Sequence, residues 1–388
     1  MMKRIVICIV AAAIATTAGA QGVDQGRKNA PQFAPAWPTQ TRAAAQQSGV
    51  SLQIEVLAEG LQTPWGMAVL PDGGILVTER SGALRLVQNG TVGAPISGVP
   101  QVLAQRQGGL LDVALAEDFA TSRVIFLTYA KPISGGMSAT AAARGVLSAD
   151  GTALSDVRDV FVQDPPSPNA MHFGSRVVPH DGVLYITTGE HFSNRERQFS
   201  QDTDKTYGKV VRVGVDGGAI EGNPFGNEVW TLGHRNVQGA AVRPADGSLW
   251  TLEHGPAGGD ELNLIERGAN YGWPVVSYGV NYNGSAVGSG QARTAEFTEP
   301  QYYWDPVIAP GGFTFYDGDM YPEWRGDVLA ASLNPGGLVR LVLDGDRVVG
   351  EERFLAGEMR VRDVEIDRDG AILILDNSDG RLLRLTPG

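Results

Sequence analysis

The chain has 388 residues, of which 43% are hydrophobic, with a single cysteine and a formal net charge of −12 at pH 7. Such acidity works against binding nucleic acid or an anionic membrane surface, since both would repel it. One cysteine excludes a disulfide framework, and the length permits two domains or one large β domain.

In chain order, the first pattern is a secretory signal peptide over residues 1–20. Lys3 and Arg4 precede an apolar run starting at Ile5, and Ala18-Gly19-Ala20 supplies a small-residue cleavage site. The run is too short for a membrane anchor, and no later stretch is long and apolar enough to insert. Cys8 falls inside the signal. Residues 21–45 are rich in Ala, Gln and Pro without periodicity and read as an extended lead-in.

From residue 46 to 388 one theme recurs: an apolar alternating strand, a turn built on Asp-Gly or its equivalent, and a second apolar strand. The copies start at Gly66, Gly109, Gly174, Gly239, Gly312 and Val361. Period-two alternation around such turns marks hairpins, and almost no segment shows a helical period. Repeats of several short strands suggest propeller blades, so the expectation is an all-β, six-bladed β-propeller. That fold gathers one loop per blade around a central channel, which lets distant residues line one pocket.

No phosphate-cradling, zinc-protease or serine-hydrolase motif is present. The turn Glu253-His254-Gly255-Pro256-Ala257-Gly258-Gly259-Asp260-Glu261 carries more glycine and acid than a plain hairpin needs. Pro256 lacks an N–H and Gly255 lacks a side chain, so their carbonyls can face a hard cation. Its bland reading is an exposed acidic turn. His172 stands just before a repeat's first strand, where a general base could face the channel, although a lone histidine is more often structural. His234-Arg235-Asn236-Val237-Gln238 is dense in donors. Arg360 and Arg362 alternate, so on a strand both can face one anionic ligand; a charged edge strand is the competing reading. Gln107-Gly108-Gly109 sets an amide beside two residues that admit close backbone approach. Together these suit an acidic, oxygen-rich small molecule.

Several segments are similar to the soluble quinoprotein aldose (glucose/sorbosone) dehydrogenases, which are periplasmic six-bladed propellers. They are LQTPWGMAVLPDG, RQGGLLDVAL, HFGSRVV, GHRNVQG, EHGPAGGDELNLIERGANYGWP, RVRDVEIDRDG and LILDNSDG. The resemblance runs from Leu57 to the C-terminus, and the EHGP…NYGWP block is its most specific part. It implies periplasmic oxidation of an aldose at C1 to the lactone, with pyrroloquinoline quinone (PQQ) and calcium as cofactors and an external electron acceptor.

Carried over by motif, His172 would take the C1 hydroxyl proton, and Arg235 would stabilise charge on the quinone. Asn236 and Gln238 would stand around quinone and substrate, and Gln107 near the reacting carbonyl. Arg360 and Arg362 would hold the cofactor's carboxylates with Asp376 nearby, and Trp304 would wall the pocket. The Gly255 and Pro256 carbonyls would bind the calcium beside the quinone, with Glu299 a ligand to a further ion. Asn334 stands where the family usually has lysine, so a neutral amide replaces a charge toward the cofactor. Two other readings are a calcium-dependent lactonase on a similar propeller and a non-catalytic sugar- or calcium-binding propeller.

Overall fold

The computed structural model describes Val23 and residues 26–388; the expected signal peptide lies outside the described residues. Six sheets account for all the strands among the described residues. Their innermost strands are Pro64–Val69, Leu110–Leu115, Gly174–His180, Val237–Val242, Pro310–Phe315 and Val361–Ile366. Each inner strand packs on the next and the last packs on the first, which closes a six-bladed β-propeller. Each repeat read from the sequence supplies one inner strand and the strand that follows it. The sixth blade is completed by Leu52–Ala58, antiparallel to Arg381–Pro387, so the two ends of the domain are joined in one sheet.

Blades stack face to face, so their middle strands are covered on both sides. Ile75–Glu79, Val328–Ser332 and Ile372–Asp376 are buried at every position. Between the fourth and fifth blades lie Trp250, Tyr302, Trp304, Phe313 and Phe315. Full burial of such side chains stabilises by about 1.5–3 kcal/mol each.

At the axis the inner strands come too close for side chains at two points. A Cβ on Gly312 would stand 1.8 Å from Asp363 Oδ1, and one on Gly66 would stand 2.7 Å from Asp112 Oδ1. The space admits a buried ion triad: Arg176 donates to Asp112 and to Asp363, each at 2.7 Å. The triad ties the second, third and sixth blades together, and removing one partner of such a set typically costs about 3–5 kcal/mol.

The lead-in wraps the fourth and fifth blades. The Asn29 and Ala30 amides donate to Asp305, Gln40 is buried against Glu299 and Pro300, and Ala44–Ala45 adds a short parallel strand outside Arg347–Phe354. Among the described residues no helix is long and apolar enough to cross a membrane.

Candidate active site

The residues just before the inner strands converge on one face. Gln107, His172, Arg235, Asn236, Gln238, Arg360 and Arg362, all anticipated from sequence, line one cavity of about 210 Å³. Trp65, Arg80, His254 and Tyr282 join them.

Four arginines face this cavity, Arg80, Arg235, Arg360 and Arg362, and among the described residues no carboxylate does. Burial, and then the neighbouring arginines 176, 80 and 360, lower the Arg362 pKa from its ordinary value. The buried Nε atoms of Arg235 and Arg362 have no hydrogen-bond partner. Amide oxygens in the cavity are already taken. Gln107 Oε1 accepts the His172 N–H at 2.8 Å, Asn236 Oδ1 accepts the Gly174 N–H at 3.0 Å, and Gln238 Oε1 accepts Arg362 Nη1 at 2.9 Å. What remains toward the cavity is a set of donors, matched to an anionic, acceptor-rich ligand.

His172 is 5% exposed, and its φ is 47°, a left-handed value that costs a non-glycine residue on the order of 1–3 kcal/mol. The Gln107 bond to its N–H helps hold it there. Its Nδ1 lies 2.8 Å from Glu190 Oε1. Burial, followed by the charge of Arg235, holds the imidazole well below the usual histidine range, while burial raises the Glu190 carboxyl. Burial thus favours a neutral ring, which with Glu190 ionised donates Nδ1–H to the carboxylate. Nε2, with no protein partner among the described residues, carries the lone pair.

The Gly255 turn presents carbonyls to positive charge: Arg235 Nη1 donates to His254 O at 3.0 Å and to Gly255 O at 2.6 Å. A Cβ on Gly255 would stand 2.2 Å from Gly259 O, so the turn is too tight for another residue. Behind it lie the acids Glu253, Asp260 and Glu261. Burial pushes Asp260 up to about 7, and burial together with Glu253 raises Glu261. Carbonyl oxygens near buried acids suit a hard cation, and Pro256 borders the same small space.

Three expectations are corrected, those for Trp304, Asp376 and Asn334. Trp304 is fully buried on the outer strand of the fourth blade, packed among Trp250, Tyr302 and Phe313, because that strand faces the next blade and not the channel. Asp376 is also buried, and its carboxylate is taken by Arg381 at 2.6 Å and the Ser378 N–H at 3.0 Å. Glu299 lies outside this cavity, with its Oε2 accepting from Tyr278 and from Gln40. Asn334 is exposed, and it is Leu333 that reaches the cavity, with its carbonyl accepting Arg360 Nη1 at 3.0 Å.

Glu190 is the main residue the motifs did not single out. An acid recurs at or just after the second strand of several blades, as Glu79, Glu253 and Asp376. Glu79 and Asp376 pair with arginines, whereas Glu253 holds His234 Nδ1 at 2.8 Å. Only in the third blade does the recurring acid meet a histidine of the cavity. Comparing repeats position by position would have flagged it.

The family model described as Glucose / Sorbosone dehydrogenase matches residues 61–384. Aldose sugar dehydrogenase YliI of Escherichia coli (strain K12) is 41% identical over 87% of this chain and 93% of its own length. The crystal structure of the soluble aldose sugar dehydrogenase from Escherichia coli, in the apo-form, superposes with a TM-score of 0.83 at 40% identity, over 87% of this chain and 100% of that one. The PQQ-bound aldose sugar dehydrogenase from Streptomyces coelicolor gives 0.72 at 29% identity, over 87% and 98% of the two chains.

Proposed function

The chain belongs to the glucose/sorbosone dehydrogenase family, and on that premise we propose that it oxidises aldose sugars at C1 to the lactone with PQQ and calcium. The observation that carries the proposal is the cavity faced by four arginines and no carboxylate. It suits a small polyanion rather than a neutral sugar alone. The support extends to relatives named as aldose sugar dehydrogenases, one of them PQQ-bound. A lactonase reading would need a carboxylate on a metal-held water, and no carboxylate lines this cavity.

When bound, PQQ supplies a two-electron acceptor, and calcium supplies positive charge beside it. Arg80, Arg360 and Arg362 would hold the cofactor's carboxylates, and the amide groups of Gln107 and Gln238 would orient it. The Gly255 and Pro256 carbonyls would hold the calcium. His172 Nε2 takes the proton of the sugar's C1 hydroxyl. The Glu190 carboxylate then stabilises the imidazolium through Nδ1–H, and Arg235 stabilises negative charge that develops in the cavity. The sequence has no C-x-x-C-H haem motif, so electrons would leave to an external acceptor. The N-terminal pattern of residues 1–20 makes the periplasm the expected address.

Purified protein stripped of cofactor should gain aldose-dependent dye reduction only when both PQQ and calcium are added, and nicotinamide should give none. Activity that persists after thorough removal of quinone would overturn the proposal.

A further inference from the structure

We propose that Phe192 and Tyr282 form the sugar-binding platform that selects an aldopyranose and sets its ring over His172, an inference that rests on the aldose reading above. These are the only two exposed large aromatics among the described residues, 45% and 66% exposed, and they stand together, with ring centroids 6.0 Å apart. Phe192 also meets His172 edge-on, at 4.9 Å between centroids.

The backbone is bent to place this ring. His191 and Phe192 have φ of 60° and 55°, two consecutive non-glycine residues in the left-handed region. Each costs on the order of 1–3 kcal/mol, and glycines would make the same turn without it. His191 anchors the turn from inside, with its ring nitrogens 3.0 Å from Asn169 O and 2.6 Å from Gln163 Oε1. The turn thus fixes Phe192 at the mouth while leaving its face open.

An outer cleft of about 590 Å³ adjoins the arginine-lined cavity, and the two share Arg235 and Tyr282. Its chemistry differs from that of the inner cavity. Phe192 and Tyr282 give it flat apolar faces, while Glu190, Asn194, Asn283 and Arg197 give polar groups around them. Asn283 Oδ1 accepts from Ser285, which leaves its amide N–H groups to face a ligand. Apolar faces ringed by such groups fit a pyranose, whose C–H face lies flat on an aromatic ring while its hydroxyls point outward. The cleft opens into the inner cavity at Arg235 and Tyr282, so a sugar lying on the two rings can turn its C1 end toward His172.

The test is steady-state kinetics on the PQQ- and calcium-loaded holoenzyme with glucose, galactose and xylose. Phe192→Leu keeps the bulk but loses the flat face, and Tyr282→Ala removes the second ring. Each should raise KM for every aldopyranose about tenfold, leave kcat within roughly threefold, and reduce discrimination between the epimers glucose and galactose. Quinone titration should be unchanged in Phe192→Leu, whose ring lies outside the inner cavity, and Phe192→Tyr should recover most of the loss. Both side chains are exposed, so melting curves should confirm folded variants, and either variant alone decides the question if the other does not fold. KM within twofold of wild type in a folded variant overturns the platform, and so does a fall in kcat alone with quinone retention reduced. A wild-type holoenzyme inactive on every aldose removes the underlying function instead, an outcome visible before any variant is made.

Discussion

The Glu190 carboxylate sits 2.8 Å from Nδ1 of His172 and thereby decides which nitrogen of the ring is free to accept a proton. Both groups are buried, and each is shifted toward its neutral form by desolvation. Without the carboxylate, the ring could turn or adopt the other tautomer, and Nε2 would no longer be the base.

Glu190→Gln should lower per-site turnover by a factor on the order of 10²–10⁴ while quinone still binds, and His172→Gln should do the same. The pH profile gives a second measurement. Because His172 titrates below the ordinary histidine range, the active neutral ring persists as pH falls through 6.5, and the acid limb should lie below that value. Stability follows the same sign: the unfolded histidine takes up its proton first, so this residue's contribution is lost as pH falls below about 6.5. Half-loss of turnover at pH 6.5 or above, with the fold intact, would show that this imidazole is not held below its ordinary range.

Arg362 should show opposite effects on binding and on the free protein. Arg362→Gln removes a charge-assisted contact worth about 1.5–3 kcal/mol, so quinone affinity should fall roughly ten- to a hundredfold in an equilibrium titration. The cofactor-free protein should melt at the same temperature or higher, because a buried charge crowded by Arg80, Arg176 and Arg360 has been removed. Unchanged affinity would mean that this arginine does not face the ligand.

Arg235 occupies the carbonyl to which calcium is assigned, with Nη1 2.6 Å from Gly255 O. A divalent cation and the guanidinium then compete for that oxygen. Arg235→Ala without quinone should bind calcium on the order of tenfold more tightly by calorimetric titration. Weaker binding in the variant would place the ion elsewhere.

Glu365 lies in an axial channel of about 410 Å³ lined by all six inner strands, and burial together with Asp363 pushes its carboxyl up to about 8. A carboxyl raised in the folded state costs stability as pH climbs from its unfolded value, about 4.3, toward 8. Glu365→Gln should therefore raise Tm by roughly a few degrees at pH 8 and change it little at pH 5. A lower Tm at pH 8 would show that the ionised form is stabilised by a partner in the channel.

The propeller was legible in the sequence because its signals are local. Alternating strands around Asp-Gly turns reveal six inner strands, and the tight Glu253–Glu261 turn announces outward carbonyls through its glycines, Pro256 and acids. His172 was readable from its place just before an inner strand, Arg235 from a cluster of donors, and the Arg360/Arg362 pair from its alternation. The tertiary structure alone decided which charge meets which. Glu190 reaches His172 across 18 residues, and Arg176 reaches Asp363 across 187. Alternation also fails where it matters most, since all six inner strands shift register near their first residues. Such a bulge resets the two-residue period, so adjacent residues such as Arg362 and Asp363 can both turn toward the axis region, one to the cavity and one to Arg176. Trp304 and Asp376 were misplaced for the related reason that a strand's layer within its blade is set by packing between blades, which no local pattern encodes.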